Sequence, residues 1–424
     1  MTAAPGPVAT EPVTATGAVH LCLLLGRILF NFGATTQRIQ DSIACLARYL
    51  GCKVEMLVSY DALLLTVNDG AAFRTRIDSS RGMAGLNLLG LIRVSELVRG
   101  LQHSQPSPET LDRALCEIRD TAPLHDVAFQ AVAAGCAGAG FCIVNGGDPV
   151  SWVCSFITAE IIFVLRCLLT ARSFNVHLTL FGVALVGTIL AGLLARVTHT
   201  STPVVALVAP VLFLVPGVPL ISGGIDVVRN HVTIGMARVG FTMAAVVALG
   251  LAAGLTVRLL PVHISPPFTP TGAWEIVLPS LAGGLAAGAL ACLNNSGLSL
   301  IALCALGGLT GRLVRALLVL NGLGLISASL IGVLCSTLVV SFVAERRRWP
   351  AVVASVIAAL PMVPGHFAIV GLHALLAFAE ANNADPVQLS VGLQALARAL
   401  FISIALVVGV IGPVILLQHD KERI

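Results

Sequence analysis

The chain has 424 residues, 57% of them hydrophobic and 11% charged, with a mean hydropathy of +0.94. That composition excludes an ordinary soluble globular protein and fits a polytopic membrane protein with many spanning helices. The net charge of +4 is mild and carries no basic cluster of the nucleic-acid-binding kind, so no nucleic-acid partner is expected.

Charge is unevenly spread. Residues 1–122 hold 11 Lys+Arg and 11 Asp+Glu, whereas the remaining 302 hold 14 and 10. A neutral, soluble-looking N-terminal part therefore precedes the membrane part. Residues 1–16 are polar and rich in Pro, Ala and Thr, without the charged and apolar regions of a signal peptide. They are expected to form a disordered tail. Residues 17–122 predict a cytoplasmic α+β domain. Ile39, Ile43, Leu46 and Leu50 make one helical stripe, with Thr35 or Thr36 as N-cap and a break near Gly33. CKVEMLVSY, ALLLTVND and AFRTRID alternate like two or three strands, and two amphipathic helices follow. Asp61 and Asp69 read as turn residues. The eleven cysteines include no C-x-x-C pair, so reduced thiols are expected, with no metal site and no cofactor.

Apolar segments of spanning length follow near 127–145, 150–170, 176–196, 203–222 and 234–258, then near 274–292, 298–320, 322–343, 350–373 and 391–417. They define a first five-span module over 123–260, a linker loop over 261–273 and a second module over 274–418. Arg312 and Arg315 interrupt the seventh span. With the N-terminal domain inside the cell, inside loops carry Arg172, Arg229 and Arg346 to Arg348, and the C-terminal tail carries Lys421 and Arg423. This agrees with the positive-inside rule and places both termini in the cytoplasm.

TPVVALVAPVLFLVPG at 202–217 and WPAVVASVIAALPMVPG at 349–365 both run from a proline through a Val/Ala-rich span to V-P-G. The first V-P-G lies in the fourth span and the second in the ninth. Two units of five spans are implied. Five is odd, so the second unit would enter from the opposite side, an inverted repeat in which broken helices meet at a substrate site.

PVLFLVPGVPLISGGIDVVRNHVTIGMARVG, with its P-G-x-P-L-I, Asp and G-x-A-R elements, resembles the signature of the threonine/serine exporter family. GRILFNFGATTQRIQDSIACLARYLG is similar to the opening helix of that family's N-terminal region, and the second V-P-G module to its smaller C-terminal module. The resemblance covers about residues 18–417. It implies export of threonine or serine from the bacterial cytoplasm across the inner membrane, driven by the proton motive force. Relatives split into two polypeptides imply a dicarboxylate instead. The resemblance marks Asp226 and Arg238 as matched motif positions. A homo-oligomer is compatible with the sequence. A hydrolase acting through the N-terminal domain is the rival of another class, but no nucleophile–base motif supports it.

Half-helix ends at Pro216-Gly217 and Pro364-Gly365 are the expected substrate contacts, with Asn145, Asp148 and Asp226 beside them. Glu160 lies mid-span, and a buried carboxyl holds a proton more readily than an exposed one. It is therefore the leading proton carrier, or else the ion-pair partner of Arg312 or Arg315. Asp148 carries the proton or caps the second span. His366, which shares a helix face with His373, is a further proton-coupling candidate. Arg229, Arg238 and Arg398 are expected in structural or ion-pair roles. The small-residue tract at 282–290 is expected to serve close helix packing.

Overall fold

The computed structural model describes residues 14–68, 70, 73–79, 86–172, 174–260, 272–347, 349–380 and 386–419. Residues 1–13 of the expected tail, Asp69, residues 261–271 of the expected linker, Arg348, Lys421 and Arg423 lie outside the described residues, whereas the last three residues of the 1–16 tail are ordered, Thr14 capping a helix that Ala15 and Thr16 begin. The chain divides into two compact units, Met1–Ala122 with Asp226–Ile234, and Pro123–Ile225 with Gly235–Ile424.

In the first unit, α1 (Ala15–Asn31) and α2 (Thr36–Tyr49) are separated by a turn at Gly33, whose φ of 75° favours glycine. Strands β1 (Lys53–Val58), β2 (Ala62–Asn68) and β3 (Phe73–Ser79) form one antiparallel sheet in that order. Period-two alternation buries Leu63, Leu65 and Val67 on one face of β2, and α1 packs over β2 and β3. Gly26 permits this approach, since a Cβ there would collide with Leu63 and Ile43. Helices α3 (Leu88–Ser104) and α4 (Pro108–Asp120) begin at side-chain caps from Asn87 and Ser107.

The second unit is helical and repeats one order of elements. First come α5 (Val127–Val144), α6 (Pro149–Ala171), α7 (Val176–Val197), a broken pair, and α10 (Val232–Leu259). The pair comprises α8 (Pro203–Val208), a 3-10 segment (Ala209–Leu214) and α9 (Gly217–Val228). The sequence Asp226–Ile234, at the end of α9 and the start of α10, belongs to the first unit. The order then recurs as α11 (Trp274–Leu293), α12 (Leu298–Leu320), α13 (Leu325–Arg346), a second broken pair, and α16 (Pro386–His419). That pair comprises α14 (Ala351–Ala359), a 3-10 segment (Leu360–Met362) and α15 (Gly365–Glu380). Among the described residues, eight helices are long and apolar enough to cross a membrane, and the two bent pairs raise the number to ten. The seventh span is continuous despite its two arginines.

Local sequence accounts for the helix ends. Asp126, Asp148 and Asn175 cap α5, α6 and α7 with their side chains, and Pro149 and Pro203 sit in first turns where no backbone donor is lost. The α5–α6 and α11–α12 hairpins close alike. Asn145 and Asn294 each turn a side-chain amide back onto the carbonyl four residues earlier, and Gly146 and Asn295 follow with φ of 78° and 56°.

Small residues set the helix spacing. A Cβ on Gly138 of α5 would lie 2.8 Å from the Ser155 carbonyl oxygen of α6, and one on Gly140 would lie 3.0 Å from Ala282 O of α11. One on Gly308 of α12 would lie 2.8 Å from Gly283 O. Such approaches replace the hydrophobic driving force that lipid removes. The opposite face of α6 exposes Val153, Ile157, Ile161, Val164 and Leu168, a stripe suited to acyl chains. Gly308→Leu is expected to force backbone apart and cost about 1–3 kcal/mol. Thermal unfolding of the detergent-solubilised protein measures this as a lowered Tm.

Candidate substrate site

The two helix breaks have the same construction. Val215 N–H donates to Leu212 O at 3.1 Å, and Gly217 N–H donates to Val215 O at 2.7 Å, closing a three-residue turn around Pro216. Val363 N–H donates to Leu360 O at 3.0 Å, and Gly365 N–H to Val363 O at 2.9 Å, around Pro364. The chain bends by 57° at the first break and 48° at the second. A proline cannot donate, so each turn replaces a helical bond that the ring abolishes.

The breaks also face each other reciprocally. A Cβ on Gly217 would lie 2.8 Å from Leu360 and 3.5 Å from Val363, and one on Gly365 would lie 3.3 Å from Leu212 and 3.5 Å from Val215. The same positions of each V-P-G segment thus meet across the contact.

Beside this contact lies a cavity of about 190 Å³. It exceeds the roughly 10–15 Å³ that one water needs and falls below the ~300 Å³ lower end of drug-sized sites. Asn145, Pro364, Gly365 and His366 line it, as do Arg312 and Arg315 of α12. Val215 represents the first break in the lining, which does not include Pro216 or Gly217 themselves. Phe141, Phe213, Met362 and Ile402 complete the apolar wall. Sequence reasoning missed these four, because an apolar residue in an apolar span carries no distinguishing signal.

Glycines on neighbouring helices make room for the arginine stems. A Cβ on Gly283 would strike Arg312, and one on Gly332 would lie 3.2 Å from Arg315 Cβ. The ion pair considered for Glu160 with Arg312 or Arg315 is not formed. Neither arginine has a salt bridge or a hydrogen bond among the described residues, and Arg312 Nε is buried without a partner. Glu160 is instead half-buried on α6 over Gly135 of α5, where a Cβ would lie 2.9 Å from its Cγ.

Asp148 lies outside the cavity lining and in a different environment. It is buried and accepts from Ser151 N–H at 2.8 Å, Thr200 Oγ at 2.6 Å, Ser201 N–H and Oγ at 2.9 Å each, and Thr202 Oγ at 3.3 Å. Burial by itself would raise its pKa. The bonds from Ser151, Thr200 and Ser201 outweigh that and hold the carboxyl well below its ordinary value. It therefore caps α6 and ties the α5–α6 loop to the α7–α8 loop as a fixed anion.

The remaining candidates separate. Asp226 is fully buried in the first unit and accepts the Thr36 backbone N–H at 3.1 Å, holding the start of α2. Arg229 is half-buried and Arg238 fully buried. Arg398 is exposed on α16, where a long side chain can reach the interface. The Asn294–Ser296 loop proves to be a docking point, since Asn295 Oδ1 accepts Leu124 N–H and Ser296 O accepts from His125, both at 2.8 Å.

A multi-pass helical membrane protein with a cavity between two helix breaks has the build of a transporter. The chain belongs to the threonine/serine exporter family. Residues 20–260 match the family described as "Putative threonine/serine exporter", and residues 281–415 match "Threonine/Serine exporter, ThrE". Among curated proteins it is similar to "Probable succinate transporter subunit YjjP" of Klebsiella aerogenes, at 29% identity over 244 residues, covering 57% of this chain and 92% of that protein. The Escherichia coli K12 protein of the same description is 29% identical over 245 residues, covering 57% and 93%. No solved structure matches the chain significantly.

Asp148→Ala is expected to cost about 1–2 kcal/mol, the range of a lost N-cap. Because its folded pKa is depressed, Asp148 contributes stability above the ordinary value of 3.8 and loses it only as pH falls through the lower folded value. The Tm difference from wild type should therefore be constant between about pH 5 and pH 8. A difference that faded on acidification within that window would contradict the assignment.

Proposed function

We propose that the protein is a secondary active exporter, driven by the proton motive force, that carries a small carboxylate-bearing metabolite through the cavity between its two helix breaks. The observation that carries this reading is the pair Arg312 and Arg315, unpaired among the described residues and lining that cavity. An ionised group deep in a membrane protein needs a partner. A substrate carboxylate supplies one, and guanidinium geometry suits it. Threonine, serine and succinate, the compounds named for the family and the relatives, all bear a carboxylate.

Transport would proceed by alternating access, with each V-P-G turn acting as a bend between half-helices. The repeated order of five spans and the reciprocal contact of the breaks support an inverted repeat. The arginine-bearing loops support a bacterial inner-membrane location with both termini in the cytoplasm. Glu160 is the proton carrier of this reading. It is a mid-helix carboxyl with no salt bridge among the described residues, and it packs on α5, whose C-terminal end lines the cavity.

In proteoliposomes, Arg312→Gln and Arg315→Gln should each lower carboxylate efflux by roughly tenfold or more, the effect of losing one charged hydrogen bond. Glu160→Gln should remove the acceleration that an imposed proton gradient gives. Full efflux in both arginine variants would sink the site, and gradient dependence persisting in Glu160→Gln would sink the carrier role.

A further inference from the structure

The three-stranded sheet of the first unit is covered on one face only. Leu63, Leu65 and Val67 of β2 point into the core, where α1 packs. The strand register arranges the other face in rows. Leu57 and Ile77 flank Leu64 in one row, Glu55 and Thr75 flank Thr66 in the next, and Lys53 and Phe73 flank Asn68 in the third. The solvent face of an antiparallel sheet is ordinarily polar. Here Leu57, Ile77 and Phe73 are 64%, 66% and 74% exposed, so no described residue covers them. Apolar side chains that line up across neighbouring strands in this way mark an interaction surface.

We infer that this face is an interface between two copies of the chain, packed sheet on sheet about a two-fold axis parallel to β2. Such an axis lays β1 of one copy over β3 of the other and sets each row over its own counterpart. Leu57 then meets Ile77 of the second copy, apolar on apolar. Glu55 meets the hydroxyl of Thr75. That hydroxyl shares a hydrogen bond with Thr66 Oγ1 at 2.9 Å, and it can accept there while donating to the carboxylate. Lys53 meets the ring of Phe73, whose face attracts a cation. The same three pairs recur on the other side of the axis, as an isologous contact requires. The rows carry one lysine and one glutamate, so the face neither repels a copy of itself nor draws an anionic lipid surface. The face extends about 20 Å along the strands and about 15 Å across them, which makes a small interface. Both copies sit in one bilayer, and that confinement raises their effective concentration and offsets the small area.

The test uses the full chain reconstituted in liposomes. Photoreactive benzoylphenylalanine replaces Phe73, and the products of irradiation are mapped by mass spectrometry. A product of twice the chain's mass should form, joined from position 73 to β1 of a second copy. Leu57→Glu or Ile77→Lys alone sets a charge against an apolar side chain and should lower the yield by roughly tenfold or more. The two substitutions together set a carboxylate against an ammonium group across the axis and should recover most of the yield. All three variants should keep the Tm of the parent, because the altered side chains lie outside the core. Cross-links to lipid, to another protein or to no partner would overturn the interface. A yield indifferent to the single substitutions, or not recovered in the double variant, would overturn the facing of β1 on β3.

Discussion

The fold is governed by the backbone groups that prolines leave unpaired in a membrane. Pro216 and Pro364 each end a helix inside an apolar segment, and lipid cannot satisfy the freed groups. The protein closes a three-residue turn at each break and sets the two breaks against one another. That contact demands close helices around it. The glycines of α5, α11 and α12 serve the same demand, because their approaches of 2.8–3.0 Å to backbone carbonyls leave no room for a Cβ. The C-terminal ends of α5 and α11 are consequently fixed beside the breaks, where Phe141 and Leu290 enter the cavity wall.

Two kinds of charge coexist in this frame, the buried Asp148 and the half-buried Arg312 and Arg315, and their hydrogen bonding separates them. Asp148 is saturated by backbone and hydroxyl donors from two loops. A carboxylate so held gains little from a proton or a ligand, and its business is structural. Arg312 and Arg315 are held by nothing polar among the described residues, although Gly283 and Gly332 give their stems a fitted place. Burying an uncompensated charge costs several kcal/mol. In the proposed transport reading, a substrate carboxylate would supply that compensation.

Much of this was legible in sequence, for identifiable reasons. Length and hydropathy gave the spans. The recurrence of V-P-G in the fourth and ninth segments gave the pairing of breaks, because proline's effect on a helix is local and needs no tertiary knowledge. The strands of the first unit followed from period-two alternation, which survived burial on one face only. The site was less legible. For Asp148 sequence left the helix-cap and transport readings side by side, because it shows a carboxyl at a span's edge without showing Thr200, Ser201 and Thr202, which lie some fifty positions away and fold onto it. Arg312 and Arg315 looked like pair-forming residues, since the cost of a buried charge is visible in sequence and the absence of its partner is not. Phe141, Phe213, Met362 and Ile402 were invisible as cavity wall, because composition cannot tell a lipid-facing apolar residue from one facing a cavity.

The two five-span sets share a frame and differ in chemistry. They match in element order, in hairpin closure by Asn145 and Asn294, and in the geometry of the two V-P-G turns. A site at such a contact would be balanced if both halves lined it alike. Instead the second set supplies the arginines and the half-helix N-terminus at Gly365, whereas Gly217, its counterpart, stays out of the lining. The asymmetry is physically useful. In the proposed transport cycle, matching halves would exchange conformations at similar energy, while one charged wall would hold the substrate in a defined orientation throughout the exchange. Glu160 lies on the other half, on α6 against α5, so in the proposed reading the gradient and the substrate would act on different helices, joined by the packing of α5 on α6 and α11.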